Sequence, residues 1–235
     1  MQDKLNYLTE FILSTDADIL CLQESNAWMA KRIQQATQGA YTCVGSTTSH
    51  CDDVMLLVHS DRYNVVQSDM MEGAGVIAVV TSKPSPSGPT NNDEDICWLV
   101  SSMHLAPFKQ YAPIRLEQFT ELWARTQALV EARSKPVQVA LCGDFNVRQP
   151  EVPEWLRVAQ GKLREAWDGN RETAMTWDTR VNRYFKDGFE FLARFDRVFC
   201  SADAQVVLYS LVGDCKVDGG CLSDHYGILV EFQNQ

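Results

Sequence analysis

Val139-Ala140-Leu141-Cys142-Gly143-Asp144-Phe145-Asn146 is an apolar run that ends in a glycine, an aspartate and, two residues on, an asparagine. It has the length and character of a buried strand. Residues two apart on an extended chain point the same way. The stretch therefore sets a carboxylate and an amide side by side at the mouth of a sheet. Asp144 is suited to hold and orient a water, and Asn146 to donate to a phosphate oxygen. A strand followed by an Asx turn explains the same residues without any chemistry. Taken alone, the turn is the better account, because such turns are common.

The surrounding chain bounds the answer. Its 235 residues fit one large domain with a sizeable core. Apolar residues make up 45%, and no run approaches the ~18 apolar residues of a membrane span. Met1-Gln2-Asp3-Lys4 leads into an amphipathic pattern rather than a signal peptide. Together these predict an intracellular protein. With 21 basic and 31 acidic side chains, the formal charge of −10 argues against wrapping a long polyanion. A chain end or a small phosphate ester remains compatible. Cys21, Cys97, Cys142 and Cys200 lie in or beside apolar runs, where cysteine acts as a small hydrophobe. No Cys-x-x-Cys pair suggests zinc. Cys215 and Cys221 flank a glycine loop and are spaced to pair, although reduced thiols suit an intracellular chain better.

Leu5, Leu8 and Ile12 mark one face of a first helix, and Asp18 to Leu22 reads as a short buried strand closed by Gln23-Glu24. A helix follows over Ala27 to Gln35. Strands are expected at Tyr41–Val44, Val54–His59, Tyr63–Gln67, Gly75–Thr81 and Ile96–Ser102, the last ending at His104. Lys83 to Glu94 is rich in Pro, Ser, Gly and Asn and reads as a surface loop. Pro113 opens a helix to about Arg133, and Val137 to Cys142 is the strand before Asp144. Pro153 and Gly161 divide Val152 to Trp167 into two short helical pieces. Later strands are expected at Arg194–Cys200, Val206–Leu211 and Tyr226–Phe232. Helices and strands alternate early and strands dominate late, which predicts two sheets with helices outside.

Polar residues fall at the ends of these runs. Glu24, His104 and Asp144 each follow an apolar run, while Asp196 and the pair Asp224-His225 each open one. If all meet at one rim, three strands run toward it and two away, so the sheets are mixed. Each residue has a plain alternative. Glu24 can cap the next helix, His104 can bond backbone, Asp196 can pair with its flanking arginines, and Asp224-His225 can be a turn. Five such clusters at strand ends make a poor coincidence.

The series Gln-Glu, Met-His-Leu, Gly-Asp-Phe-Asn, Arg-Phe-Asp-Arg and Ser-Asp-His resembles the endonuclease/exonuclease/phosphatase superfamily over nearly the whole chain. The resemblance implies a four-layer α/β sandwich, with two mixed β-sheets flanked by helices, and Mg²⁺-dependent phosphoester hydrolysis, with Mn²⁺ as a substitute. It implies that Glu24 ligates the metal and that Asp144 orients or deprotonates the attacking water. Asn146 then steadies the phosphate, His104 bonds it, and His225 stabilises charge on it. Asp196 or Asp224 orients an imidazole or completes the metal shell. Mg²⁺ is hard and prefers carboxylate oxygens and water, so these residue types suit it.

Thr176-Trp177-Asp178-Thr179-Arg180-Val181-Asn182 and Gly143 to Arg148 resemble, more narrowly, the tyrosyl-DNA phosphodiesterase 2 group. That likeness implies hydrolysis of 5′ DNA ends carrying a tyrosyl or peptide adduct, in DNA repair and in the nucleus, with no membrane partner. It implies that Trp177 lines the substrate channel, against the alternative of an ordinary core aromatic. It implies that Arg148 contacts DNA phosphate or the site's hydrogen bonds. Lys109, Arg115, Arg148, Arg180 and Arg183 are candidates for local positive potential. Two departures stand out. The family's first strand, which ends in an asparagine, has no counterpart before the first helix, so a truncated domain is expected. After His104 the family has an acidic or hydroxyl pair, where this chain has Ala106-Pro107-Phe108. The alternatives are another nuclease or a nucleotide or lipid phosphodiesterase of the superfamily, or a non-catalytic scaffold.

Overall fold

The computed structural model describes residues 2–25, 27–46, 54–84, 96–170, 175–182, 184, 190–213, 216–217 and 220–233. In chain order the elements begin with α1 (Gln2–Thr15), β1 (Ile19–Leu22), α2 (Ala27–Ala36), β2 (Tyr41–Ser46), β3 (Met55–His59), β4 (Tyr63–Met71), β5 (Gly75–Ser82) and β6 (Cys97–His104). A 3-10 turn at Lys109–Tyr111 leads into α3 (Ala112–Glu131), β7 (Gln138–Asp144), a second 3-10 turn at Gln149–Glu151, α4 (Val152–Val158) and β8 (Leu163–Glu165). Then come β9 (Trp177–Asp178), β10 (Leu192–Ala193), β11 (Asp196–Ser201), β12 (Val206–Val212), β13 (Lys216–Val217), β14 (Gly220–Cys221) and β15 (Gly227–Phe232).

The centre is a six-stranded sheet in the order β4-β5-β6-β7-β11-β8. Its inner strands β5, β6, β7 and β11 are apolar on both faces because both are covered, while the edge strand β4 is largely exposed. Along β5, Ile77 and Val79 join one core cluster while Val76, Ala78 and Val80 join another. The first cluster packs under α3 and α4, with Phe119, Leu122, Trp123 and Trp155. The second meets Leu56 and Val58 of β3, Ile19 and Cys21 of β1, and Phe232 of β15. Residues of β3 at alternate positions, Met55 and Leu57, turn outward to Ile12 of α1 and Ile33 of α2. The layers are therefore α1/α2, a second layer of strands, the six-stranded sheet, and α3/α4.

The second layer consists of two antiparallel pieces among the described residues, β1-β3-β2 and β12-β15. The first lies with β1 against β6 and β7, and the second with β15 against β11. The six-stranded sheet is mixed: β6 and β7 are parallel, and β11 runs antiparallel to β7. Strands β6 and β7 thus end at the rim where β11 begins, as the placement of the polar residues requires.

The short strands β9, β10, β13 and β14 were not expected, and one expected helical piece is absent. Pro153 sits in the first turn of α4, where its missing N–H costs nothing, and Gly161 follows the helix at φ 74°. The second piece is no helix but β8, paired with β11 from Leu163 to Glu165. Edge pairing and the ion pairs of Glu165 with Arg194 and Arg197 outweigh the local pattern. No disulfide joins the described Cys21, Cys43, Cys97, Cys142 and Cys200. Cys215, Arg183 and most of the Lys83–Glu94 loop lie outside the described residues. No helix among the described residues is long and apolar enough to cross a membrane.

Candidate active site

Strand register builds the site. His104 of β6 lies beside Asp144 of β7, and Asp144 lies beside Asp196 of β11. The three form one row across the rim, on the face turned toward the second layer. Gly143 makes the close approach possible. Its φ is 146°, and a Cβ there would stand 2.1 Å from the Met103 carbonyl oxygen. Glu24 stands just past the end of β1, and His225 lies just before β15, so the second layer delivers both to the same rim. Gln23 donates from its amide to Ser102 Oγ at 3.0 Å, tying the end of β1 to β6.

Asp144 is buried, and the expected Asx turn is present, with the Asn146 amide turned to protein acceptors rather than outward as expected. Asn146 N–H donates to Asp144 Oδ1 at 2.8 Å, which is an Asx turn, with Asn146 at φ 51°. The Asn146 amide donates to the Leu105 carbonyl at 3.0 Å and to Asp144 Oδ2 at 3.3 Å, so the turn orients the carboxylate. His104 Nε2 is 3.7 Å from the same Oδ2. Burial, and then the charge of Asp196, push the Asp144 carboxyl up to about 7; His225 and the Asn146 N–H oppose this, and Glu24 adds to it.

His225 Nδ1 and Asp196 Oδ2 are 2.7 Å apart. Burial pulls the His225 pKa down, but the Asp196 hydrogen bond and the charges of Asp196, Asp144 and Asp224 lift it to about 9. A pKa raised above neutrality favours the imidazolium, in which Nδ1–H donates to Asp196. Trp177 meets it edge-on, ring centroids 4.7 Å apart. Trp177 is half-buried and part of the site wall rather than of the deep core. Arg148 donates to the Asn146 carbonyl, and its guanidinium lies 4.8 Å over the Phe195 ring.

The ligand atoms of Asp144, Asp196 and His225 lie within 4.8 Å of one another, a group able to hold a metal ion. Glu24 and Asp224 lie outside that group, although the charge of Glu24 reaches Asp144 and that of Asp224 reaches His225. Carboxylates crowded enough to raise a buried acid fit a divalent cation, which would offset their repulsion.

A match to the endonuclease/exonuclease/phosphatase family model runs over residues 1–225, nearly the whole chain. This chain belongs to that family. Within it, the chain is 32% identical over 146 residues to tyrosyl-DNA phosphodiesterase 2 of Xenopus tropicalis, which covers 58% of this chain and 37% of that protein. It is 32% identical over 136 residues to the 5′-tyrosyl-DNA phosphodiesterase of Caenorhabditis elegans, covering 55% and 36%. The matches thus span little more than a third of those relatives' length. Among solved structures, the D. rerio TDP2 complexed with single strand DNA product superposes with a TM-score of 0.79 at 20% identity, over 99% of this chain and 92% of that one. A Bacteroides thetaiotaomicron mannosyl-6-phosphatase gives 0.72 at 17% identity, over 99% and 91%. These likenesses establish the family's four-layer fold.

Several arginines act differently from expectation. Asp196 makes no pair with its flanking arginines; Arg194 and Arg197 turn to Glu165 and to Gln149 Oε1 instead. Arg194 also stacks 3.9 Å over Trp167. Arg115 is fully buried on Glu151, and Arg180 is paired with Asp178 at 2.8 Å, so neither offers unpaired positive charge to a ligand. Sequence reasoning missed the holding residues. Thr176 Oγ1 accepts the N–H groups of Phe195 and Asp196, while its carbonyl accepts Tyr226 N–H. Asn182 donates to the Ser223 carbonyl at 2.8 Å. Both lie in the Thr176–Asn182 motif, but no spacing rule links that motif to partners roughly twenty to fifty positions on.

Proposed function

We propose that this family member is a Mg²⁺-dependent phosphodiesterase that hydrolyses the 5′-phosphotyrosyl bond at DNA ends, in repair within the nucleus. The observation carrying the reading is the row His104–Asp144–Asp196 with His225 closing on Asp196. Kinship with tyrosyl-DNA phosphodiesterases supports the substrate class. Glu24 and the Asp144–Asp196 carboxylates would hold Mg²⁺, with Asp224 completing its shell; the ion polarises a phosphoryl oxygen when bound. Asp144 orients the attacking water and takes its proton. Asn146 keeps Asp144 aimed, and the His225 Nε2–H offsets charge developing on the phosphoryl oxygens. His104 donates to the phosphate, Arg148 supports the Asn146 turn, and Trp177 flanks the bound strand. A tyrosine phenol, with a pKa near ~10, departs with little acid assistance, unlike a sugar alkoxide.

The test is release of tyrosine from a 5′-phosphotyrosyl oligonucleotide by the purified chain with Mg²⁺. Glu24→Ala, Asp144→Ala and His225→Ala are each expected to lower kcat/KM by roughly 10²–10⁴-fold. Undiminished turnover in Asp144→Ala would remove the mechanism. Ala106-Pro107-Phe108, standing where the family has an acidic or hydroxyl pair, favours one second reading: a different phosphodiester substrate in the same site. A panel of aryl, nucleotide and lipid phosphodiesters separates the two.

A further inference from the structure

Phe108 is strained, exposed and tightly held. Its backbone lies at φ 65°, ψ 149°, next to a region used almost only by glycine. Its side chain is 61% exposed, so no burial compensates the strain. Among the described residues its ring neighbour is Tyr111, 6.3 Å away and itself 39% exposed.

The backbone around it is locked from several sides. The Arg115 guanidinium, fully buried under the loop, donates from Nη1 to the Ala106 and Phe108 carbonyls at 2.9 and 2.6 Å. Its Nε and Nη2 grip the Glu151 carboxylate at 3.1 and 2.8 Å. Ala106 N–H donates to Gln118 Oε1 at 3.0 Å, and Tyr111 N–H to the Phe108 carbonyl at 3.2 Å. A buried cation is thus committed to holding a surface ring outward. Strain kept in this way is a mark of a functional position.

The loop that carries the ring also starts at the site. Leu105, three residues earlier, donates its N–H to the Asp144 carbonyl and accepts from the Asn146 amide. Chain reach keeps Phe108 within ~10 Å of Leu105. Exposed Lys109 follows it directly. A flat aromatic face next to a cation is the pairing that binds single-stranded nucleic acid, the ring taking a base and the cation a phosphate. In a chain of formal charge −10, backbone attraction is weak, and stacking carries more of the affinity.

We infer that Phe108 is a stacking platform for a nucleobase near the 5′ end of the strand at this site. The inference rests on the phosphodiesterase reading for its choice of strand, and it deepens that reading by giving the enzyme a base contact outside the reacting centre.

The experiment measures binding without turnover. Fluorescence anisotropy with a 5′-phosphorylated single-stranded oligonucleotide, in Mg²⁺, compares wild type, Phe108→Gly and Phe108→Trp. A second oligonucleotide lacks the bases of its first nucleotides. Phe108→Gly is expected to weaken binding about tenfold on the intact strand and to leave the abasic strand unchanged, while Phe108→Trp keeps the affinity. Because glycine relieves the backbone, the melting temperature of Phe108→Gly is expected to hold or rise, which separates lost stacking from misfolding. Equal affinities for wild type and Phe108→Gly, or an equal loss on both strands, overturn the platform. A loss that appears only with a tyrosyl-peptide end overturns it too, in favour of a peptide contact. Wild-type turnover of a 5′-phosphotyrosyl end is scored separately. Base-dependent binding without turnover keeps the platform and removes the phosphodiesterase reading, whereas turnover with binding independent of Phe108 does the reverse.

Discussion

His225 carries two opposed influences, and the balance decides its chemistry. Burial disfavours the imidazolium, but the Asp196 hydrogen bond and three carboxylate charges outweigh it and hold the pKa at about 9. A histidine left to burial alone would be neutral and unable to meet phosphoryl charge as a cation. Asp196→Asn keeps the shape but removes the charge and the strongest acceptor. Its His225 titration, followed by NMR on metal-free protein, is expected to fall from about 9 to near or below the ordinary 6.5. Activity is expected to drop roughly 10²-fold. An unmoved titration would mean that Asp144 and Asp224 hold the proton instead. The same weighing explains the stretch around Asp144. The Asx turn that looked like a competing account is the device that aims the carboxylate, so the turn does not compete with the proposed role of Asp144.

The strand ends were legible because burial on both faces leaves long apolar runs, and a polar residue closing such a run is conspicuous. Glu24, His104 and Asp144 each close such a run, and Asp196 and His225 each precede one, which is why the sequence singled them out. What joins the runs was not legible, since it depends on hydrogen bonds between segments distant in sequence. β8 was misread as helix for the same reason: its pairing with β11 lies outside any local window. The clearest case is the segment ahead of β9. Thr176, fully buried, accepts two N–H groups at the start of β11 with its side chain and one next to His225 with its carbonyl. It therefore acts as a positioning residue, fixing Asp196 and His225 relative to each other. Thr176→Val leaves two buried donors without their acceptor and is expected to cost ~2 kcal/mol by urea unfolding. It is also expected to lower the His225 pKa, a change that a purely packing role would not make. Thr176→Ser restores the acceptor, and should recover the His225 titration even where some packing is lost. If valine leaves both the stability and the titration unchanged, the clamp is not what sets the pair.

The centre lies on the seam between two layers. β6, β7 and β11 bring His104, Asp144 and Asp196, while β1 and β15 bring Glu24 and His225 from the opposite layer. Such a site forms only when the layers dock, so its electrostatics are a property of the folded state. That gives the stability of the metal-free chain a definite pH dependence. Asp144 is held at about 7 against an ordinary 3.8, so between those values the folded chain keeps a proton that the unfolded chain has lost, and stability falls as pH rises. His225 is raised to about 9 from 6.5. Its contribution is fully present below 6.5 and is lost as pH climbs through 9, a change of the same sign. In chelator, the melting temperature is therefore expected to fall by ~4 °C or more between about pH 6 and pH 9. Saturating Mg²⁺ would offset the exposed negative charge, and binds best once Asp144 is deprotonated. It should raise the melting temperature most at the alkaline end and flatten the slope. A flat profile in chelator would mean that the carboxylates do not crowd as described. A slope that Mg²⁺ leaves untouched would mean that the cation binds elsewhere, and would remove the metal from this seam.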